Sequence, residues 1–142
     1  MNRFYQSDYI DPPQAVAFIT SAATCYGNHN QIDCSKGSDV YQDAKQRIET
    51  HLLAAADKAV KLRQNNPHHP VELILGAFGC GAFAPRGNPD EYRNMIAGIY
   101  KEILPKFNQL FNQVVFAVPT FGSNEESNPA VVNHKIFRKV LM

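Results

Sequence analysis

The strongest constraint on the fold is a glycine-rich stretch that directly follows a short aliphatic run. The run Val71–Leu75 is mostly β-branched or aliphatic, which predicts a buried central strand. Glycines follow at positions 76, 79 and 81. Asn88 as a side-chain cap and Pro89 at the first helical position then predict a helix that extends to about Phe107. The sequence therefore predicts a strand, a tight loop and a helix in direct succession.

Further apolar patterns lie on either side of this unit. The runs Ala15–Ala23 and Val114–Val118 each predict a short buried strand. Between them, apolar residues spaced by three and four predict a long helix over Val40–Leu62, which ends before a stretch with two prolines. A short terminal helix is predicted over Val132–Leu141. The chain thus alternates between strands and helices.

This alternation is typical of an α/β fold with parallel neighbouring strands, because each helical crossover returns the chain to the same end of the sheet. The 142 residues are expected to form a single domain, residues 1–142. Three strands are few for this class. At least one edge of the sheet is therefore expected to remain unpaired unless a partner covers it.

Composition and charge exclude several functional classes. Hydrophobic residues make up 44% and charged residues 19% of the chain, which favours a packed core over disorder. The formal net charge of +1 gives no overall attraction to nucleic acid or to an anionic membrane, so neither is expected as a partner. No membrane-spanning run or signal peptide is recognisable, and three cysteines do not make a disulfide framework. We expect a cytoplasmic protein.

The glycine loop has the features of an anion site. Glycines allow a ligand to approach the main chain, and successive amides in such a loop can bind a phosphate or a diphosphate. Asp90 and Glu91 occupy the positive end of the following helix, so the loop amides of about Ala77–Ala84 are the expected donors. The glycine spacing matches neither the dinucleotide nor the triphosphatase fingerprint. A turn that only lets the helix pack on the strand is the structural alternative.

The segment Leu73–Phe83 resembles the corresponding loop of the microbial-type poly(ADP-ribose) glycohydrolases, which are macrodomains. Phe18–Ala23 resembles that family's strand before a variable loop, Arg47–Ala59 its alanine-rich helix, and Val114–Val118 its last strand. Nearly the whole chain is similar to the C-terminal half of the family. The resemblance implies a macrodomain-like three-layer sandwich of parallel central strands flanked by helices, with the N-terminal part of the fold missing.

The resemblance also implies a ligand and the residues that bind it. The glycine loop would wrap the diphosphate of ADP-ribose, with Phe83 near the ribose that bears the reactive bond, and Phe121 would stack on adenine. The partner would be ADP-ribose or an ADP-ribosylated protein, and neither a metal nor another cofactor is expected. The implied ligand-binding residues are Gly76, Ala77, Phe78, Gly79, Cys80, Gly81, Ala82, Phe83 and Phe121.

The chain departs from the family in the part that performs catalysis. The family has a triple-glycine loop followed by paired glutamates, one of which is the general acid, whereas no two glycines are adjacent here. The only Glu-Glu pair, Glu125 and Glu126, is expected to be a solvated surface pair. The catalytic residue is therefore unassigned. Hydrolysis of ADP-ribosyl linkages would need a catalytic half from an N-terminal fragment or a longer polypeptide; alternatively, a second copy could cover the open sheet edge.

Three alternatives remain open at this point. The chain could be a non-catalytic module that binds ADP-ribose or another nucleotide diphosphate, or a decayed fragment. Cys80 could be a hydrolase nucleophile with His29 or His134 as its base, although its adjacent glycines do not match the G-x-S-x-G elbow. Cys25, His29 and Cys34 could bind zinc, but their spacing fits no standard pattern and a fourth ligand is missing.

Overall fold

A computed structural model describes residues 16–120 and 122–142, which form three α-helices and a small sheet of two parallel strands. None of the helices in these two ranges is long and apolar enough to cross a membrane. The elements in chain order are α1 (Asp39–Asn65), β1 (Glu72–Leu75), α2 (Pro89–Ile103), a 3₁₀ segment (Leu104–Leu110), β2 (Gln113–Phe116) and α3 (Pro129–Leu141).

Helix α1 confirms the helix predicted from apolar spacing and is slightly longer at both ends. The Ser38 hydroxyl accepts a hydrogen bond from the Tyr41 amide at 3.2 Å, which satisfies one of the unpaired donors of the first turn. The helix ends shortly before Pro67, which cannot continue it. One face is buried, and its apolar members are Tyr41, Ala44, Ile48, Leu52, Ala55, Ala56 and Ala59.

The two strands confirm the predictions for the second and third apolar runs. Leu73 lies opposite Val114 and Leu75 lies opposite Phe116, in a parallel register. Helix α2 and the 3₁₀ segment connect the strands, as a crossover between parallel neighbours requires. The glycine loop lies between β1 and α2, at the carboxyl end of β1.

Helix α2 forms the centre of the core. Tyr92, Ile96 and Tyr100 are at most 1% exposed. The Tyr100 ring meets Phe116 of β2 edge-on at 5.1 Å between centroids, and its hydroxyl lies 3.1 Å from Nε2 of His51 on α1. Helix α2 therefore joins the sheet to α1.

The start of α2 is confirmed, but the predicted capping role of Asn88 is wrong. The Asn88 side chain makes no capping hydrogen bond. Its Oδ1 accepts from the Ile32 amide at 3.2 Å, and its Nδ2 donates to the Ile32 carbonyl at 2.8 Å. Nδ2 also donates to Glu91 at 2.8 Å. Asn88 is buried, so a tertiary contact with the preceding loop uses the groups that a local cap would need.

The strand predicted over Ala15–Ala23 is wrong for the part of it that the structure describes. Residues 16–23 are irregular, and Val16 and Phe18 are 71% and 89% exposed. An apolar run becomes a strand only if another strand pairs with it. In the described part of the chain β1 pairs with β2 alone, so its other edge has no partner strand. The described sheet therefore has two strands where the sequence predicts three.

The sheet is also covered less completely than a buried central strand predicts. Leu75 is buried against the helices, whereas Ile74, on the opposite face, is 65% exposed. Parallel sheets usually have both faces covered, which is why an aliphatic run predicts full burial. Within residues 16–120 and 122–142 no helical layer buries the face of Ile74, so the observed fold is mixed helix and sheet without the expected third layer.

We predict that Leu52→Ala destabilises the fold by about 3 kcal/mol, because truncation of a fully buried leucine leaves a cavity in the core. Its neighbour Leu53 is 59% exposed and provides a matched control. Leu53→Ala should change the free energy of unfolding by less than about 0.5 kcal/mol. Urea unfolding followed by circular dichroism measures both values. Equal effects of the two substitutions would contradict the described orientation of α1.

Candidate functional site

The candidate site is the loop between β1 and α2. The loop before α1, which contains Tyr26, His29 and Asn30, contacts it. The Tyr26 amide donates to the Phe83 carbonyl at 2.8 Å, and the Arg86 amide donates to the His29 carbonyl at 3.0 Å. At Gly87 the two loops approach so closely that a Cβ atom would overlap the carbonyl oxygen of Asn30. The preceding loop therefore fixes the second half of the glycine loop.

The middle of the glycine loop is held in the core. Gly79 has a φ of +73°, and a Cβ atom there would lie 2.7 Å from the Tyr92 hydroxyl. Cys80 is fully buried. Since both the backbone conformation and the packing require glycine at 79, these two residues have a structural role. By contrast, a Cβ atom on Gly81 would meet no atom within 4 Å among the described residues.

The backbone amides of the loop divide into paired and unpaired donors. The Phe78 amide donates to the Gly76 carbonyl, the Cys80 amide to Ala77 and the Ala84 amide to Gly81, at 3.0 to 3.1 Å. The amides of the intervening tripeptide 81–83 donate to no acceptor in the described part of the chain, and all three of its residues are exposed. Successive free amides can donate together to an anion. The members of the tripeptide are Gly81, Ala82 and Phe83.

A groove of about 630 Å³ runs beside the first half of the loop. Gly76, Ala77 and Phe78 line it, together with β1, the face of α1 around His51 and residues 16–19. Ligand pockets have volumes of about 300 to 1,000 Å³, so the groove can accommodate a nucleotide. Burial lowers the pKa of His51, which favours a neutral ring at the wall of the groove.

The structure thus divides the predicted site residues into three groups. Residues 76–78 line the groove, 79 and 80 pack against the core, and 81–83 are exposed residues with unpaired amides outside the groove lining. Phe83 is 44% exposed and is available for contact with a ligand. Phe121 lies outside the described residues.

A larger cavity, of about 930 Å³, lies elsewhere, between the Gln31–Ser35 loop and the start of α2. Its lining includes the carboxylates of Asp33, Asp90 and Glu91. Hydrogen bonds from Ser35 hold the pKa of Asp33 below its usual value, so that group remains an anion. The charge of Asp90 is balanced by Arg93. The carboxylates of Asp33 and Glu91 still repel a phosphate, and this cavity is therefore unsuited to the predicted ligand.

The geometry of Cys80 does not support a nucleophile. Burial raises the pKa of the Cys80 thiol to about 12, against an opposing effect of the Arg93 charge. The sulfur lies 3.5 Å from the Phe78 carbonyl, inside the loop. A cysteine nucleophile needs a lowered pKa and an approach for the substrate, and Cys80 has neither. His134, one of its two suggested bases, is exposed on α3.

The possible zinc ligands and the glutamate pair form no site in the described part of the chain. In the described ranges no three His, Cys, Asp or Glu side chains are close enough to hold a metal ion, so Cys25, His29 and Cys34 do not form a cluster. Glu125 and Glu126 are both exposed, as expected for a solvated pair. Glu126 forms an ion pair with Lys135 at 2.7 Å.

Two buried polar residues beneath the loop were missed by the sequence analysis. Arg93 of α2 is 6% exposed and Asn133 of α3 is 8% exposed, and both side chains reach the Cys80 carbonyl oxygen. The available signal was a polar residue on an otherwise apolar helix face. Arg93 adjoins Tyr92 and precedes Ile96 by three positions, and Asn133 lies one turn before Phe137.

Comparisons of the chain with protein families, with curated proteins and with solved structures found no match.

We predict that Cys80 is inert toward iodoacetamide in the folded protein, whereas the exposed Cys25 reacts. A rise in thiol pKa from 9.0 to about 12 lowers the thiolate fraction near neutral pH roughly 1,000-fold. Peptide mass spectrometry after alkylation at pH 8 measures both sites, and urea should expose Cys80 to the reagent. Alkylation of Cys80 at the rate of Cys25 in the folded protein would restore the nucleophile hypothesis.

Proposed function

We propose that this chain binds the diphosphate group of a nucleotide, with ADP-ribose as the ligand, through the amides of Gly81, Ala82 and Phe83. The observation that supports the proposal most directly is that these three successive residues are exposed and their amides donate to no protein acceptor in the described ranges. A phosphate supplies acceptors with the matching charge. The choice of ADP-ribose follows the resemblance of the loop to poly(ADP-ribose) glycohydrolases.

The surroundings of the loop are consistent with a local anion site in a chain of almost no net charge. The guanidinium of Arg93 lies behind the loop, with Nε 3.5 Å from the Cys80 carbonyl oxygen. The charge of Arg93 is paired with Asp90 at 2.6 Å, so Arg93 supports the loop as a hydrogen-bond donor. The groove lined by Gly76, Ala77 and Phe78 lies against the other half of the same loop and has space for the nucleoside part.

Binding without turnover is the function that we propose for this chain alone. Cleavage of a glycosidic bond requires a carboxylic acid within hydrogen-bond distance of the leaving oxygen. Glu125 and Glu126 are solvated, and Glu126 is paired with Lys135. A second polypeptide half that contains the family's triple glycine and paired glutamates would supply the acid and would complete a macrodomain-like sandwich over the exposed face of the sheet.

Two measurements on the same sample test the proposal. Calorimetric titration with ADP-ribose should show saturable binding to one site per chain, and incubation with an ADP-ribosylated protein should release no ADP-ribose. Adenosine, which lacks the diphosphate, is the control ligand and should bind far more weakly. Absence of ADP-ribose binding would refute the proposal, and release of ADP-ribose would show that the chain itself has a catalytic acid.

We predict that Gly81→Val weakens ADP-ribose binding by roughly 10- to 100-fold, since the side chain would occupy the path of the anion and keep it from the loop amides. The fold should persist, because a Cβ atom at Gly81 meets no described atom within 4 Å. Gly98→Val introduces the same side chain at an equally open position on α2 and is the matched control. Gly79→Val is unsuitable because it would collide with Tyr92. Unchanged affinity in folded Gly81→Val would show that the loop is only a turn.

A further inference from the structure

We infer that Arg93 and Asn133 are positioning residues, which hold the Cys80–Gly81 peptide so that the Gly81 amide faces the anion. This inference rests on the proposed binding function. Nδ2 of Asn133 donates to the Cys80 carbonyl oxygen at 3.2 Å, and Nε of Arg93 lies 3.5 Å from the same oxygen. Two helices, α2 and α3, thus contribute one donor each to a single carbonyl of the loop.

The effect on Gly81 follows from the geometry of the peptide group. A trans peptide is planar, and its C=O and N–H bonds point in opposite directions. Because the Cys80 oxygen is held toward the core by two buried donors, the Gly81 N–H is directed away from the core. Gly81 itself is exposed. The hydrogen bonds from Arg93 and Asn133 therefore determine that the loop presents a donor at Gly81.

The two hydrogen bonds are necessary because residue 81 is a glycine. With no Cβ atom, Gly81 can adopt backbone conformations that would let the preceding peptide rotate. Rotation would turn the Cys80 carbonyl outward, where its oxygen would repel a phosphate. The two hydrogen bonds favour the inward carbonyl, so the donor orientation exists before the ligand arrives and little ordering remains for binding.

The burial of the two side chains is difficult to explain by stability alone. Arg93 is paired with Asp90 at 2.6 Å, but Asp90 is largely exposed while Arg93 is buried. Oδ1 of Asn133 is buried and has no hydrogen-bond partner in the described ranges. A buried polar atom without a partner is unfavourable, and an apolar side chain of similar size would avoid that penalty. A role in orienting the loop accounts for the amide at this position.

Asn133→Leu provides the test because it removes the donor and the unpaired oxygen but retains the volume. We expect ADP-ribose binding to weaken about tenfold, with a melting temperature no lower than that of the parent. The Gly81 resonance in a ¹⁵N–¹H spectrum should shift without ligand and should need about tenfold more inorganic pyrophosphate for the same response. Asn108→Leu makes the same replacement at an exposed position and should change none of these values.

The outcomes separate the two proposals. If the parent binds ADP-ribose and folded Asn133→Leu binds equally well with an unchanged Gly81 signal, the positioning role is overturned while the proposed function stands. If the parent does not bind, both fall. Should Asn133→Leu fail to fold, Arg93→Lys serves instead, since lysine retains the cation but lacks Nε. Parent-like binding and an unchanged Gly81 signal in folded Arg93→Lys would overturn the positioning role, and weaker binding with a shifted Gly81 signal would support it.

Discussion

The burial of helix α2 is the constraint on which the rest of the described structure depends. Tyr100 packs against Phe116 of the sheet and Phe137 of α3, and it reaches His51 of α1 through its hydroxyl. About two turns toward the N-terminus of α2, the Tyr92 side chain fills the space next to Gly79. A two-stranded sheet has little stability by itself, so the apolar contacts of this helix organise both the strands and the loop before it.

The helices and the two short strands could be predicted from the sequence because their signals are local. Apolar spacing, Ser38 before α1 and prolines beyond it act within a few residues of each helix end. The burial of β1 and the state of residues 16–23 depend instead on partners distant in sequence. Ile74 is as apolar as its neighbours, but its exposure is decided by what covers that face of the sheet. A sequence pattern reports apolarity and does not report which surface covers it.

The same distinction applies to the candidate site. Three glycines after a strand led to the prediction of an anion loop, which stays a proposal, but they did not indicate which amides are free. That depends on the internal turns of the loop, in which the amides of Phe78, Cys80 and Ala84 find carbonyl acceptors. Arg93 and Asn133 violate the apolar pattern of their helices. Such conflicts between local pattern and global fold are often found at functional positions, and they indicate where to look for such positions in a sequence.

The described residues include those that hold the glycine loop, but none that is assigned as a catalytic acid. Four side chains or amides of the described residues contact the loop, and they belong to Tyr26, Tyr92, Arg93 and Asn133. No general acid is assigned among the described residues, and the face around Ile74 is exposed there. Preorganised amides can bind an anion whether or not chemistry follows, because their orientation is set by the core behind them. The residues that support the proposed anion site thus lie in α2, α3 and the loop before α1.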